Sequence, residues 1–203
     1  MRATLMSYFL LGLIRVMTGS QARWYGCPPK AEQRIYFANH QSHADLVLIW
    51  AALPKDLRSI TRPIAARDYW TKTPFRQWIT TAVFNAIYVT RERTADQDPL
   101  EPLCAALDQG DSIILFPEGT RGHAEEPAAF KAGLYNLAQK YPDVVLVPAW
   151  INNVQRVMPK GEVVPVPVLC SVTFGAPVTL EPNEERRAFL DRARNAVIAL
   201  RDV

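Results

Sequence analysis

From Arg34 onward, short β-prone runs alternate with segments that carry helix signals, and this alternation restricts the fold more than any other property of the chain. The β-prone runs are Arg34–Ala38, Pro63–Ala66, Ala86–Thr90, Ser112–Phe116, Val144–Pro148 and Leu169–Phe174. Leu46–Leu53, apolar on every side and closed by Pro54, reads as a buried helix. Thr73–Val83 carries Phe75, Trp78 and Ile79 on one helical face, and Asp98-Pro99 supplies an N-cap and N1 proline for a helix stopped by Gly110. Pro127 opens a helix running to about Tyr141, and Asn183 caps the last, Glu184–Leu200. Strands that alternate with helices are joined by crossovers, so the chain predicts an α/β fold: one domain, a mainly parallel mixed sheet flanked by helices.

Length and composition agree with this. At 203 residues there is room for one well-filled core and not for two comfortable domains. A hydrophobic share of 49% with 21% charged residues belongs to an ordered globular protein. Cys27, Cys104 and Cys170 are odd in number, scattered and without metal-ligand spacing, so they read as reduced intracellular thiols.

The formal charge of +3 is uneven. Before residue 39 stand Arg2, Arg15, Arg23, Lys30 and Arg34 against the single acid Glu32, which suits an anionic lipid surface. Arg91–Glu126 is acidic in balance, which argues against a nucleic-acid-binding face. The apolar run Leu5–Ile14 is shorter than the roughly 20 residues that span a bilayer, so it is expected to lie in the interface as an amphipathic or interfacial helix. A signal peptide and an ordinary terminal helix docked on the core are the rival readings. Residues 1–30 are thus expected to be a membrane-associating helix and linker, and 31–203 the globular domain.

The chemistry-bearing stretch is Asn39-His40-Gln41-Ser42-His43-Ala44-Asp45, a polar turn between a strand and a buried helix. Turns at the carboxyl ends of parallel strands are where α/β folds hold ligands. An Asp five residues after His40 can return beneath the imidazole, fix its tautomer and leave the other ring nitrogen as a general base. The same residues fit a capping box, with Ser42 as N-cap answered by Asp45, and both readings can hold at once. Phe116-Pro117-Glu118-Gly119-Thr120-Arg121 also follows a strand-like run, as does Arg91, so a parallel sheet would gather all three at one edge.

Together these stretches resemble the glycerolipid acyltransferase family, whose signatures are Asn-His-x-x-x-x-Asp and Phe-Pro-Glu-Gly-Thr-Arg. Ala86–Arg91, Phe130-Lys131-Ala132-Gly133 and Val147–Ile151 resemble further blocks of that family, in the same order, over roughly residues 35–151. The resemblance implies transfer of an acyl group from acyl-CoA or acyl carrier protein to the free hydroxyl of lysophosphatidic acid or a related lysolipid, giving phosphatidic acid. No cofactor or metal is implied beyond that co-substrate. His40 and Asp45 would be catalytic; Arg91, Glu118, Gly119, Thr120, Arg121 and Lys131 would bind substrate. Within that set, Gly119 is expected to let a phosphate or glycerol backbone approach the main chain, Arg121 to fork onto phosphate oxygens, and Glu118 to orient glycerol hydroxyls or an arginine. The implied setting is peripheral or monotopic attachment on the cytoplasmic face of the cell membrane.

The chain also departs from the family pattern, with Ala66-Arg67-Asp68 where many members carry a Lys-Lys-Glu-like segment. That leaves the acceptor less determined than the reaction. A metal hydrolase would draw on His40, His43 and Asp45, with His123 the only other histidine; a serine hydrolase would need a Gly-x-Ser-x-Gly elbow, which the sequence lacks. A non-catalytic lipid-phosphate-binding protein is the remaining alternative, and it would not need a base.

Overall fold

The computed structural model describes residues 2–18, 21–42, 44–90, 98–122, 124, 126–152 and 170–203. Seven strands form one sheet: β1 (Gln21–Trp24), β2 (Arg34–Ala38), β3 (Thr61–Ala66), β4 (Ile87–Val89), β5 (Ser112–Leu115), β6 (Val145–Asn152) and β7 (Ser171–Phe174). Their order is β1-β7-β6-β2-β5-β3-β4, and every pair is parallel except β6 with β7. This is the mainly parallel, mixed sheet that the alternation predicts. β2 lies at its centre, between β5 and β6, and all five of its residues are buried.

Alternation along β2 divides the core. Tyr36 and Ala38 face one side with α2 (Asp45–Ala52), whereas Ile35 and Phe37 face the other. That second side is covered by α6 (Glu101–Asp108), α7 (Gly133–Lys140) and α8 (Arg186–Ile198), through residues such as Leu107, Leu137 and Phe189. Two apolar layers on a twisted parallel sheet need short strands buried on both faces, and the sequence supplies them as continuous apolar runs.

The remaining helices are α1 (Arg2–Thr18), α3 (Lys55–Ser59), α4 (Arg67–Trp70) and α5 (Pro74–Trp78); α5 runs into a π-helical turn, Ile79–Val83. Among the described residues no helix is long and apolar enough to cross a membrane. α1 packs against the π-helical turn and α2, burying Leu11, while Leu5, Tyr8 and Phe9 stay exposed. One face is therefore docked on the core, as one of the readings of the sequence has it, and another is exposed.

Several local expectations change. β1 lies in the stretch expected to be linker, so the sheet begins before residue 31; Trp24 stacks on Phe174 at 4.1 Å, and Arg23 donates to the Val203 carbonyl. Arg34, counted above among charges for a lipid surface, is buried and donates to Glu32 and the Pro28 carbonyl. The helix expected from Pro127 begins only at Gly133, because the Ala128 and Lys131 amides are taken by Glu118 and the Pro117 carbonyl. Asn183 is not a cap: it takes φ 61° in a turn, and α8 starts at Arg186.

Candidate active site

The main chain leaves β2 at Ala38, paired with Ala149, and the next residue extends the ladder with its side chain. Asn39 donates through Nδ2 to the Ile151 carbonyl (3.1 Å) and accepts the Ile151 amide on Oδ1 (2.8 Å). Its carboxamide thus imitates one more peptide rung while the backbone turns away. Asn39 enters the sequence reading only as a letter of a motif; its buried bidentate pairing could not be read there.

His40 follows. Its Nδ1 lies 2.8 Å from Asp45 Oδ2, and the imidazole stacks on Phe116 at 4.4 Å. The same Asp45 oxygen accepts the amides of Gln41 (2.6 Å) and Ser42 (2.8 Å). The His40 side chain is 18% exposed and that of Asp45 only 1%, so the imidazole reaches solvent and its partner does not. With Nδ1 committed to a carboxylate, the neutral ring carries its hydrogen there and leaves Nε2 as the acceptor. Asp45 opens α2, where the helix N-terminus favours its negative charge. Half of the expected capping box is also present: Asp45 reaches back to the Ser42 amide, but Ser42 Oγ accepts from Ala44 rather than from Asp45.

The second motif turns behind β5. Glu118 is 2% exposed, and both its oxygens are used by backbone amides: Oε1 by His40 and Oε2 by Ala128, each at 2.8 Å. The expectation that Glu118 meets substrate hydroxyls or an arginine is therefore corrected, because the carboxylate points inward and braces His40. The Gly122 amide donates to the His40 carbonyl (2.8 Å), so the histidine is held on both sides of its main chain.

Gly119 has φ 70°, and a Cβ there would fall 2.5 Å from Lys131 Nζ. The glycine is needed for its handedness, and the flexible end of the Lys131 side chain lies directly over it. The space expected for a phosphate or glycerol backbone against the Gly119 main chain is occupied by that side chain, which brings a cation there.

His40, Gly119, Thr120, Arg121 and Lys131 line one cavity of about 600 Å³. Its remaining walls are largely apolar, with Ile64, Val89, Leu100, Leu103, Leu115 and Leu134 from β3, β4, β5, α6 and α7, and with Tyr69 and Trp70 from α4. Arg121 and Lys131 are exposed. The result is a greasy chamber with an imidazole, two cations and the Asp98 carboxylate along it, fit for an amphiphile with a charged head. Arg91, His43 and His123 lie outside the described residues, although Thr90, next to Arg91, lines the cavity.

The two buried thiols, Cys27 and Cys170, do not offer a competing nucleophile. Burial pushes the Cys170 thiol up to about 11, with the nearby Asp45 charge adding to the effect, and burial also raises Cys27. Among the described residues, no three His, Cys, Asp or Glu side chains gather around a point where one ion could bind.

With this geometry in view, comparison with known proteins gives consistent matches. A family model described as Acyltransferase matches residues 27–152. The 1-acyl-sn-glycerol-3-phosphate acyltransferase alpha of Homo sapiens is 29% identical over 178 residues, which cover 85% of this chain and 60% of that protein. A 1-acyl-sn-glycerol-3-phosphate acyltransferase of Cocos nucifera is 29% identical over 160 residues, 75% of this chain and 48% of its own. The chain thus spans about half to three-fifths of these relatives. The crystal structure of the 1-acyl-sn-glycerophosphate (LPA) acyltransferase PlsC from Thermotoga maritima superposes with a TM-score of 0.67 at 22% identity, covering 96% of this chain and 80% of that one.

Proposed function

Because this chain belongs to the acyltransferase family, we propose that it moves a fatty acyl group from an acyl thioester to the free hydroxyl of 1-acylglycerol 3-phosphate, giving phosphatidic acid. The observation that carries the proposal is the His40–Asp45 pair on the wall of a largely apolar cavity whose polar lining includes Arg121 and Lys131. A protein that only bound lipid phosphate would have use for the cations and the cavity but not for a carboxylate-held imidazole.

The steps follow from the groups present. His40 Nε2 takes the hydroxyl proton as the oxygen attacks the thioester carbonyl, a role that contributes roughly 10²- to 10⁴-fold. Asp45 stabilises the imidazolium so formed. The carbon–sulfur bond then breaks; a thiol of pKa about 8.5 is a good leaving group, and His40 returns the proton to sulfur. Arg121 and Lys131 hold the acceptor phosphate, so that binding energy away from the reacting atoms orients the hydroxyl. The apolar walls take an acyl chain. Coenzyme A and acyl carrier protein are both admissible carriers of the donor, and the exposed face of α1 fits attachment to the cytoplasmic membrane surface where such lipids reside.

The test is incubation of the purified protein with acyl-CoA and lysophosphatidic acid, following free thiol and phosphatidic acid together. His40→Ala should abolish both signals without unfolding the protein. Arg121→Lys and Arg121→Ala should lower kcat/KM for lysophosphatidic acid in that order, on a scale of about 1.5–3 kcal/mol per lost charge-assisted contact. Equal losses on a hydroxylated lipid without phosphate would remove Arg121 from the phosphate. Full turnover by His40→Ala would remove the base.

A further inference from the structure

Arg194 lies on α8, beyond residue 152 where the family match ends, yet its hydrogen bonds lead back to His40. Its neighbour Ala193 is fully buried in the core, so the register of α8 is fixed and Arg194 is carried at the edge of the packed face. Its guanidinium donates from Nε to the Pro127 carbonyl at 2.8 Å and from Nη2 to Glu126 Oε2 at 3.0 Å. The Pro127 carbonyl belongs to the same peptide group as the Ala128 amide. That amide donates to Glu118 Oε2 at 2.8 Å, and Glu118 Oε1 accepts the His40 amide at 2.8 Å.

One peptide is therefore gripped from both sides, by a cation on its oxygen and a carboxylate on its nitrogen. Each of these bonds polarises the next: a carbonyl facing a guanidinium makes its amide a stronger donor, and a charged acceptor strengthens the contact further. The 126–128 segment has no regular secondary structure of its own to fix it, whereas α8 is anchored by Phe189, Leu190, Ala193 and Val197.

We infer that Arg194 is a positioning residue for His40, acting through the Pro127–Ala128 peptide and Glu118. The inference rests on the reading of His40 as the base for its effect on rate, but the chain of hydrogen bonds can be tested without turnover. Arg192 is the control. It sits on the same helix and bonds Glu184 at 2.6 Å and the Thr179 carbonyl at 2.7 Å, away from the cavity.

The experiment compares Arg194→Met, Arg194→Lys and Arg192→Met by amide hydrogen exchange of His40 and by kcat and KM with acyl-CoA and lysophosphatidic acid. Arg194→Met should speed exchange of the His40 amide and lower kcat on the order of tenfold with KM for lysophosphatidic acid nearly unchanged, below the roughly hundredfold that a full ångström of misplacement costs. Arg194→Lys, which keeps one cationic donor, should recover part of both. Arg192→Met should lower the melting temperature without touching either. If Arg194→Met and Arg192→Met leave the His40 amide equally protected, the inference fails whatever the reaction turns out to be. If the wild type does not transfer acyl groups but the exchange difference appears, the relay stands and the proposed function falls.

Discussion

At Asp45 one carboxylate oxygen receives three donors, while Oδ1 is buried with no hydrogen-bond partner among the described residues. An Asn at this position can turn its carbonyl oxygen toward the same three donors and put its amide nitrogen where Oδ1 now lies. Asp45→Asn is therefore expected to keep the turn folded at a cost of about 1–3 kcal/mol for the amide N–H groups buried without an acceptor, and to lose the charge that stabilises the imidazolium, dropping kcat per folded molecule roughly 10²-fold or more. Loss of stability with activity per folded molecule intact would mean that Asp45 serves only the cap. Glu118→Gln makes the opposite demand. A carboxamide has one acceptor oxygen for the two amides that Glu118 holds, so one buried N–H is orphaned at about 1–3 kcal/mol. Thermal unfolding should register that loss, and KM for a phosphate-bearing acceptor should barely move; a rise in KM alone would restore the substrate contact that the sequence suggested. Both side chains were visible as motif letters. The inward orientation of Glu118 was not, because it depends on which backbone amides the fold brings to it, those of residues 40 and 128.

Among the elements, the strands were the most legible. β2 matches its expected limits and β3, β4 and β5 agree to within two residues; β2 and most of β5 are buried on both faces, which leaves nearly uninterrupted apolar runs. β6 extends further than expected, to Asn152, since Trp150 and Ile151 pair with β7. β1 was not expected: Gln21–Trp24 alternates polar and apolar over only four residues, too short a run to stand out, and the strand it pairs with lies about 150 residues further on. The helix expected from Pro127 failed for a related reason, with distant acceptors claiming its first amides. At the junction of β2 with β6, Asn39→Ala should strand both the amide and the carbonyl of Ile151. The expected cost is about 1–3 kcal/mol for each group, read as a lower denaturant midpoint with an unchanged slope. A stability loss below about 0.5 kcal/mol would show that water replaces the carboxamide there.

Seen whole, the molecule presents aromatic and basic side chains around α1 and α5. Leu5, Tyr8 and Phe9 are exposed on α1, Phe75 is exposed on α5, and Lys72 stands exposed just before it. α1 and the π-helical turn that continues α5 touch, and Tyr69 and Trp70 of the preceding α4 line the cavity. Aromatic rings with basic neighbours are what a membrane interface selects. Replacing Leu5, Tyr8 and Phe9 by Ser should weaken flotation with vesicles containing anionic lipid and leave the melting temperature within a degree or so, because these side chains are already outside the core. Unchanged flotation would assign this surface to some other partner. The sequence supplied the charge and the apolar run; it could not say which face of α1 the core would claim, since that depends on the π-helical turn some 70 residues away.

The pairing of β1 with β7 also sets an order of events in time. Gln21 finds Ser171 across about 150 residues of chain, which a ribosome working at about 5–20 residues per second takes roughly 10–30 s to supply. Until β7 emerges, β1 has no strand to join, and Trp24 has no Phe174 to stack on. Throughout that interval α1, only two residues upstream of β1, is untethered from the sheet edge while its exposed Leu5, Tyr8 and Phe9 are already made. A nascent chain of this design displays that apolar surface first and closes its fold afterwards.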